Sequence, residues 1–247
     1  MRTPLTRFSE YDSLLKRIDE LSEQSERYQL PRYSNFLRPN EYQTVNMYLK
    51  HRCLYEISGG YPNATLRRVI FNDPSNNKIV CLYCHIKDKY VKLTHRDVLG
   101  ALMNLGIKRD QFGDMWVDNG MIVIYVMEEN HRYIIDHLTK INKLNVSFSI
   151  SLQPILPNIN IREFTKVVSG LRLDCIVAAL VNISRSKAQD LIVSGLVSVN
   201  YETLEEKDFL CNNDDTISIR GYGRYIIMEV LKNTKKERLL LRLGQYE

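Results

Sequence analysis

The chain has 247 residues, enough for one large domain or two to three small ones, and apolar residues make up 44% of it, a share that builds real cores and argues against disorder. Thirty-four basic against 29 acidic residues leave a net charge of +5, a mild surplus that permits an anionic partner without demanding one. No apolar run approaches the ~20 residues of a membrane span, the polar start does not read as a secretory leader, and an odd set of cysteines (Cys53, Cys81, Cys84, Cys175, Cys211) fits reduced thiols and a cytoplasmic location.

Residues 6–29 are charged, and Phe8, Tyr11, Leu14, Leu15, Ile18 and Leu21 recur at three and four, which predicts an amphipathic helix with one buried stripe. Leu30-Pro31 ends it. A second helix follows Pro39, where Glu41, Val45, Tyr48 and Leu49 keep helical spacing. Ser58-Gly59-Gly60-Tyr61-Pro62 breaks the pattern. Residues 1–72 are therefore expected to form a helical module. Tyr33, Tyr42, Tyr48, Tyr55 and Tyr61 cluster there; they suit base stacking and core or rim positions equally well.

Strand candidates follow at 78–84, 121–127 and 145–152, with a weaker one at 114–117. Helices fit at 95–105, stopped by Gly106, and at 131–141. Asn119-Gly120 suits a hairpin turn. The order β-α-β-β-α-β over residues 73–157 predicts a ferredoxin-like domain, a sheet with helices on one face. RNA-recognition domains share that topology, but their aromatic-rich strand signature is absent here. Thr94 is placed to cap the helix from His95, with Asp97 in its first turn. His95 and Arg96, with Lys108 and Arg109 at the far end, are candidates to touch RNA backbone or a protein partner; a capped surface helix with ordinary C-terminal cations is the alternative. Cys81-Leu-Tyr-Cys84-His85 has haem-attachment spacing, but strand alternation sends the two sulfurs to opposite faces, and zinc would need two further ligands. No metal or cofactor is expected.

Residues 154–160 read as a linker, and a last domain covers 162–247. Its helices are expected at 171–181 and 186–193, followed by a strand at 197–199 and an acidic connector around 202–215. A hairpin of 216–220 and 224–230 closes across Gly221-Tyr222-Gly223. Ser184 is a good N-cap. Arg185 and Lys187 then sit at a helix start, where positive partial charge favours acids and two cations cost a few tenths of a kcal/mol on a scale of ~0.3–1. Exposed amides beside two cations make a phosphate site; solvated cations on an exposed turn are the alternative. Arg172, Lys207, Arg220 and Arg224 join the site if the fold gathers them.

The stretches RLD at 172–174, SRSKAQDLI at 184–192, SGLVSVN at 194–200 and DTISIRGYGR at 215–224 resemble the S-four RNA-binding domain. This is the alpha-L module shared by small-subunit ribosomal protein four, tyrosyl-tRNA synthetases and ribosomal pseudouridine synthases. The resemblance implies that Arg172, Ser184, Arg185, Ser186, Lys187, Gln189 and Asn200 face RNA; Arg220 and Arg224 are further candidates for RNA contact. Further, FLRPNEYQ at 36–43, SGGYPNATLRR at 58–68 and LTHRDVLGALMNLGIKRDQFGD at 93–114 resemble the YlmH family of bacterial RNA-binding proteins, over nearly the whole chain. The fold expected is then α+β, with a helical N-terminal module, a ferredoxin-like centre and an S-four-type C-terminal domain. The family resemblance implies a non-enzymatic binder of large-subunit rRNA and of tRNA or peptidyl-tRNA. It also implies ribosome-associated quality control beside a nascent-chain tailing factor. Two alternatives stay open. Arg172-Leu173-Asp174 also resembles the RLD of ribosomal pseudouridine synthases, where the Asp is the nucleophile, which would make the protein an rRNA-modifying enzyme; here Asp174 reads rather as a helix cap or a partner of Arg172. The other is a protein-interaction role in cell division.

Overall fold

The computed structural model describes residues 11–73, 76–86, 93–158, 160–233 and 238–246, the side chains of 232 and 233 excepted. The chain divides into two compact units, Met1–Asn158 and Ile159–Glu247.

The first unit opens with α1 (Asp12–Tyr28) and α2 (Pro39–Leu49). The stripe of α1 buries Leu15, Ile18 and Leu21 against Val45 and Leu49 of α2 and against Val69 and Phe71. Each such aliphatic side chain contributes about 1.5–3 kcal/mol. Phe8, and the expected helix start at residue 6, lie outside the described residues. Pro39 opens α2, where its missing N–H is no loss, and the Glu41 carboxylate accepts from the Arg38 amide at 2.6 Å. Besides these helices the module contains strands. Strands β1 (Arg32–Tyr33), β2 (Glu56–Ser58) and β3 (Arg68–Phe71) form an antiparallel sheet in the order β1-β3-β2. The boundary expected between residues 72 and 73 falls inside the first unit. The Phe36 amide donates to the Asp110 carbonyl. Asp114 accepts from the Tyr61 hydroxyl at 2.6 Å and from the amides of Thr65 and Leu66 at 2.6 and 3.1 Å.

Next come β4 (Ile79–His85), α3 (His95–Asn104), β5 (Phe112–Asp118), β6 (Met121–Met127), α4 (Glu128–His137), the small pair β7 (Lys140–Ile141) and β8 (Leu144–Asn145), and β9 (Ser149–Ser151). The larger sheet has the order β5-β6-β4-β9 with every pair antiparallel. That is the connectivity expected of β-α-β-β-α-β. The turn at Asn119 and Gly120 has φ of 48° and 72°, as a type I′ hairpin requires. Alternation sends Leu82, Cys84, Ile122, Ile124 and Val126 against Val98 and Leu102 of α3 and Ile134 of α4. Cys81, Val123 and Tyr125 point to the other face, so the two cysteines part as expected. That outer face carries the rings of Tyr61, Trp116 and Tyr125, with centroids 4.8–5.9 Å apart. The loop bearing Tyr61 lies on it: a Cβ on Gly60 would stand 2.8 Å from the Tyr125 ring.

The second unit is a six-stranded antiparallel sheet under two helices. Its elements are β10 (Ile161–Val168), α5 (Leu173–Val181), α6 (Arg185–Val193), β11 (Val197–Val199), β12 (Glu202–Thr203), β13 (Thr216–Ile219), β14 (Gly223–Asn233) and β15 (Leu239–Tyr246). Strand order is β10-β15-β14-β13-β11-β12. Leu173, Ile176, Val177, Leu180, Ala188 and Ile192 from the helices close over Val197, Val199, Ile217, Ile219, Tyr225, Ile227, Leu241 and Leu243. The pairing of β10 with β15, from Ile161 opposite Tyr246 to Val168 opposite Leu239, joins the two ends of the unit.

Candidate nucleic-acid interface

Helix α5 starts after Arg172, and Asp174 stands in its first turn, wholly buried. A buried carboxylate without partners costs several kcal/mol. Asp174 is instead saturated. Arg185 grips it in a fork, Nε to Oδ2 at 2.9 Å and Nη2 to Oδ1 at 3.3 Å. Gln189, one turn along α6, donates at 2.7 Å. Arg172 donates from Nε and Nη2 at 3.4 and 3.5 Å, and the Cys175 thiol adds a contact at 3.4 Å. Burial alone would raise this carboxyl. The hydrogen bonds from Arg185, Gln189, Arg172 and Cys175 outweigh burial and hold it well below the usual carboxylate range. In turn the carboxylate pushes the Arg185 guanidinium up.

Arg172 and Arg185 are therefore not bare solvated cations. Both already face a carboxylate. Yet 43% and 50% of their side chains remain exposed, so each guanidinium holds Asp174 with one edge and meets solvent elsewhere. The expected pairing of Asp174 with Arg172 is present, and Arg185 is the stronger partner. Ser184 caps α6 as expected, its Oγ accepting from the Lys187 amide at 3.3 Å. Ser186 and Lys187 are exposed beside it. The arrangement presents half-bound cations and open first-turn amides on one surface, which is phosphate-binding chemistry. It does not offer a nucleophile, because a buried carboxylate with every lone pair engaged cannot reach a substrate.

Asn200 departs from expectation. Its side chain donates to Asp215 at 2.7 Å and accepts from the Thr216 amide at 2.9 Å, closing a turn at φ 50°. It fastens β11 to β13 rather than facing a ligand. Arg220 is exposed on the hairpin end, and Lys207 is exposed beside the start of α5, its carbonyl accepting from the Asp174 amide at 3.2 Å. Arg224 does not join the helix cluster. It precedes Tyr225, which faces the core, so its side chain leaves from the opposite face of the sheet. There its Cζ lies 4.6 Å from the ring centroids of both Tyr201 and Tyr246, and it donates to the Tyr201 hydroxyl. Neither tyrosine was marked by the sequence pattern, since a cation sandwich across two distant segments leaves no local spacing.

In the first unit, Asp97 accepts from the Thr94 amide and hydroxyl at 2.7 and 2.6 Å. His95, Arg96 and Lys108 are exposed. Lost solvation and then repulsion from Arg109 push the His95 imidazole below its ordinary value, against Asp114. Arg109 is spent inside the fold, donating to the Phe112 carbonyl at 2.9 Å and stacking on its ring. Among the described residues no cluster of His, Cys, Asp or Glu could hold a metal ion. Nor is any described helix long and apolar enough to cross a membrane.

The family model of the RNA-binding domain in YlmH matches residues 74–153, and that of the S4 domain matches residues 171–217. Among curated proteins the chain is similar to ribosome-associated protein quality control protein P2 of Bacillus subtilis (strain 168). The two are 32% identical over 189 residues, which is 73% of this chain and 74% of that one. Among solved structures it is similar to cell division protein ylmH from Streptococcus pneumoniae. There the identity is 25% and the TM-score 0.49, over 57% of this chain and 91% of that one.

Proposed function

The chain belongs to the YlmH family, and from that membership we propose that it binds large-subunit rRNA and peptidyl-tRNA during ribosome-associated quality control. In this reading it catalyses nothing: it holds peptidyl-tRNA in place while a partner factor tails the stalled chain. The observation that carries the reading is the convergence of Arg172, Arg185 and Gln189 on the buried Asp174, beside the capped start of α6. The carboxylate fixes two guanidiniums in orientation on side chains that stay about half exposed. Phosphates would then dock on a prearranged surface with Lys187 and the first-turn amides of α6. Such contacts set orientation without reading sequence, and specificity comes from RNA shape. The relative from Bacillus subtilis, named for ribosome-associated quality control, supports the cellular setting.

Replacing Arg172, Arg185 and Lys187 together by Ala should release the protein from large subunits in sedimentation. The log–log salt slope of RNA binding should fall by roughly two to three if each cation meets one phosphate. A folded triple variant that still sediments with large subunits would refute binding through this surface.

A further inference from the structure

We propose that the sheet face of the second unit turned away from α5 and α6 carries a second phosphate seat, built around Arg224, for one phosphate of an RNA backbone. The proposal rests on the RNA-binding reading above but not on the helix surface. Val197, Val199, Ile217, Ile219 and Tyr225 point into the core, so the residues between them point out. Register sets Thr203 opposite Ser198, Ser198 opposite Ser218, and Ser218 opposite Arg224. Three hydroxyls and a guanidinium therefore form one row across four strands. They line a groove of about 430 Å³ with Arg220, and the groove floor at Gly221 and Gly223 has no side chains.

Two features separate this groove from an ordinary polar surface. Among the described residues no carboxylate lines it, whereas Asp174 offsets the arginines on the helix side. Arg224 is also held in place before any ligand arrives. The Tyr201 and Tyr246 ring centroids each lie 4.6 Å from its Cζ and the Tyr201 hydroxyl accepts from Nη2, while its Nε is buried with no hydrogen-bond partner among the described residues. A buried donor left unsatisfied is costly. A guanidinium held in orientation, beside a second arginine and a row of hydroxyls, matches the tetrahedral, acceptor-only surface of a phosphate.

The test titrates a fluorescein-labelled RNA hairpin with the full chain over a range of KCl concentrations. It compares wild type, Arg224→Ala, Arg224→Lys, Ser218→Ala and the double variant Arg172→Ala/Arg185→Ala. Arg224→Ala should weaken RNA binding about tenfold and lower the log–log salt slope by about one. Arg224→Lys should weaken it while keeping the slope, since the charge stays and the planar fork goes. Ser218→Ala should weaken it about two- to threefold, a modest loss for one neutral hydrogen bond. Should the Arg224 variants lose their cooperative melt, Ser218→Ala decides alone. If Arg224→Ala and Ser218→Ala bind as wild type while the double variant does not, the seat is wrong and the helix surface stands. If no variant changes binding, both surfaces fall. A parallel arm follows wild type by NMR with inorganic phosphate alone. Millimolar phosphate that shifts the Ser198 and Ser218 amides, with RNA affinity untouched by the variants, would assign the groove to a free phosphate and overturn the RNA proposal.

Discussion

Replacing Asp174 by Asn tests the organising role of the carboxylate directly. The amide keeps one acceptor oxygen and turns an NH2 donor toward guanidiniums that have only donors to offer. At least two of the charge-assisted bonds from Arg185 and Arg172 are lost. Bonds to charged groups are worth about 1.5–3 kcal/mol each. Both arginines are about half exposed and rehydrate when released, which discounts that figure to about 2 kcal/mol in all. For a unit the size of Ile159–Glu247, each kcal/mol moves the melting temperature by about 4–8 °C, so a fall of about 8–16 °C is expected at pH 7. The pH dependence has a definite sign. Asp174 is held below its unfolded value, so its contribution is fully present above the ordinary carboxylate range near ~4. It is lost as pH falls through the depressed folded value. Scanning calorimetry of the full chain should show a wild-type advantage that is constant above about pH 5 and shrinks in stronger acid. A variant that melts within about 2 °C of wild type at pH 7, or a gap unchanged by acid, would show that the arginines are not held by this carboxylate.

Other sites give sharper local outcomes. Gly60→Ala puts a Cβ 2.8 Å from the Tyr125 ring and 2.9 Å from Ile79, at φ +90°. It should cost about 1–3 kcal/mol in urea unfolding, and a neutral result would mean the loop does not lie on the sheet. Asp114→Ala strips the acceptor from Tyr61, Thr65 and Leu66; amide exchange at Thr65 and Leu66 should quicken while α5 keeps its protection. Titration of native thiols at pH 8 should find Cys53 reacting first, because Cys81, Cys84, Cys175 and Cys211 are buried. Cys211, pushed up to about 12 by burial and by Asp215, should react only on unfolding.

Where a single periodicity governed a segment, the sequence could be read closely. Strands β6 and β11 occupy the expected residues, and α6 starts one residue early on its Ser184 cap. Where two constraints competed, it could not. Strands β10 and β15 were invisible because IREFTKVV breaks period-two alternation and LLLRLGQY opens on three leucines; long-range pairing, β10 with β15 and β15 with β14, makes them strands. Helix α4 begins at Glu128, three residues before expected, and stops at His137 because residues 140–141 pair as β7. At the site, the unfavourable charge at the α6 start was legible, but its resolution was not. Asp174 lies eleven residues before Arg185, beyond any local spacing rule, and only the packing of α5 on α6 brings the two together.

The same contact bears on how a nearly neutral protein binds a polyanion. With a net charge of only +5, the chain has little long-range field with which to gather RNA. Sharing Asp174 between two arginines lowers the local charge further, and this would be a poor design for non-specific attraction. It is a sensible one for shape recognition, where orientation matters more than field strength. A guanidinium with one edge fixed on a buried carboxylate loses less rotamer freedom when its other edge meets a phosphate, and the contacts of Arg224 with the Tyr201 and Tyr246 rings impose the same restriction with rings instead of charge. On this argument affinity comes from a few prearranged contacts. The salt dependence of RNA binding should therefore be shallow, set by those contacts rather than by the 34 basic residues of the chain.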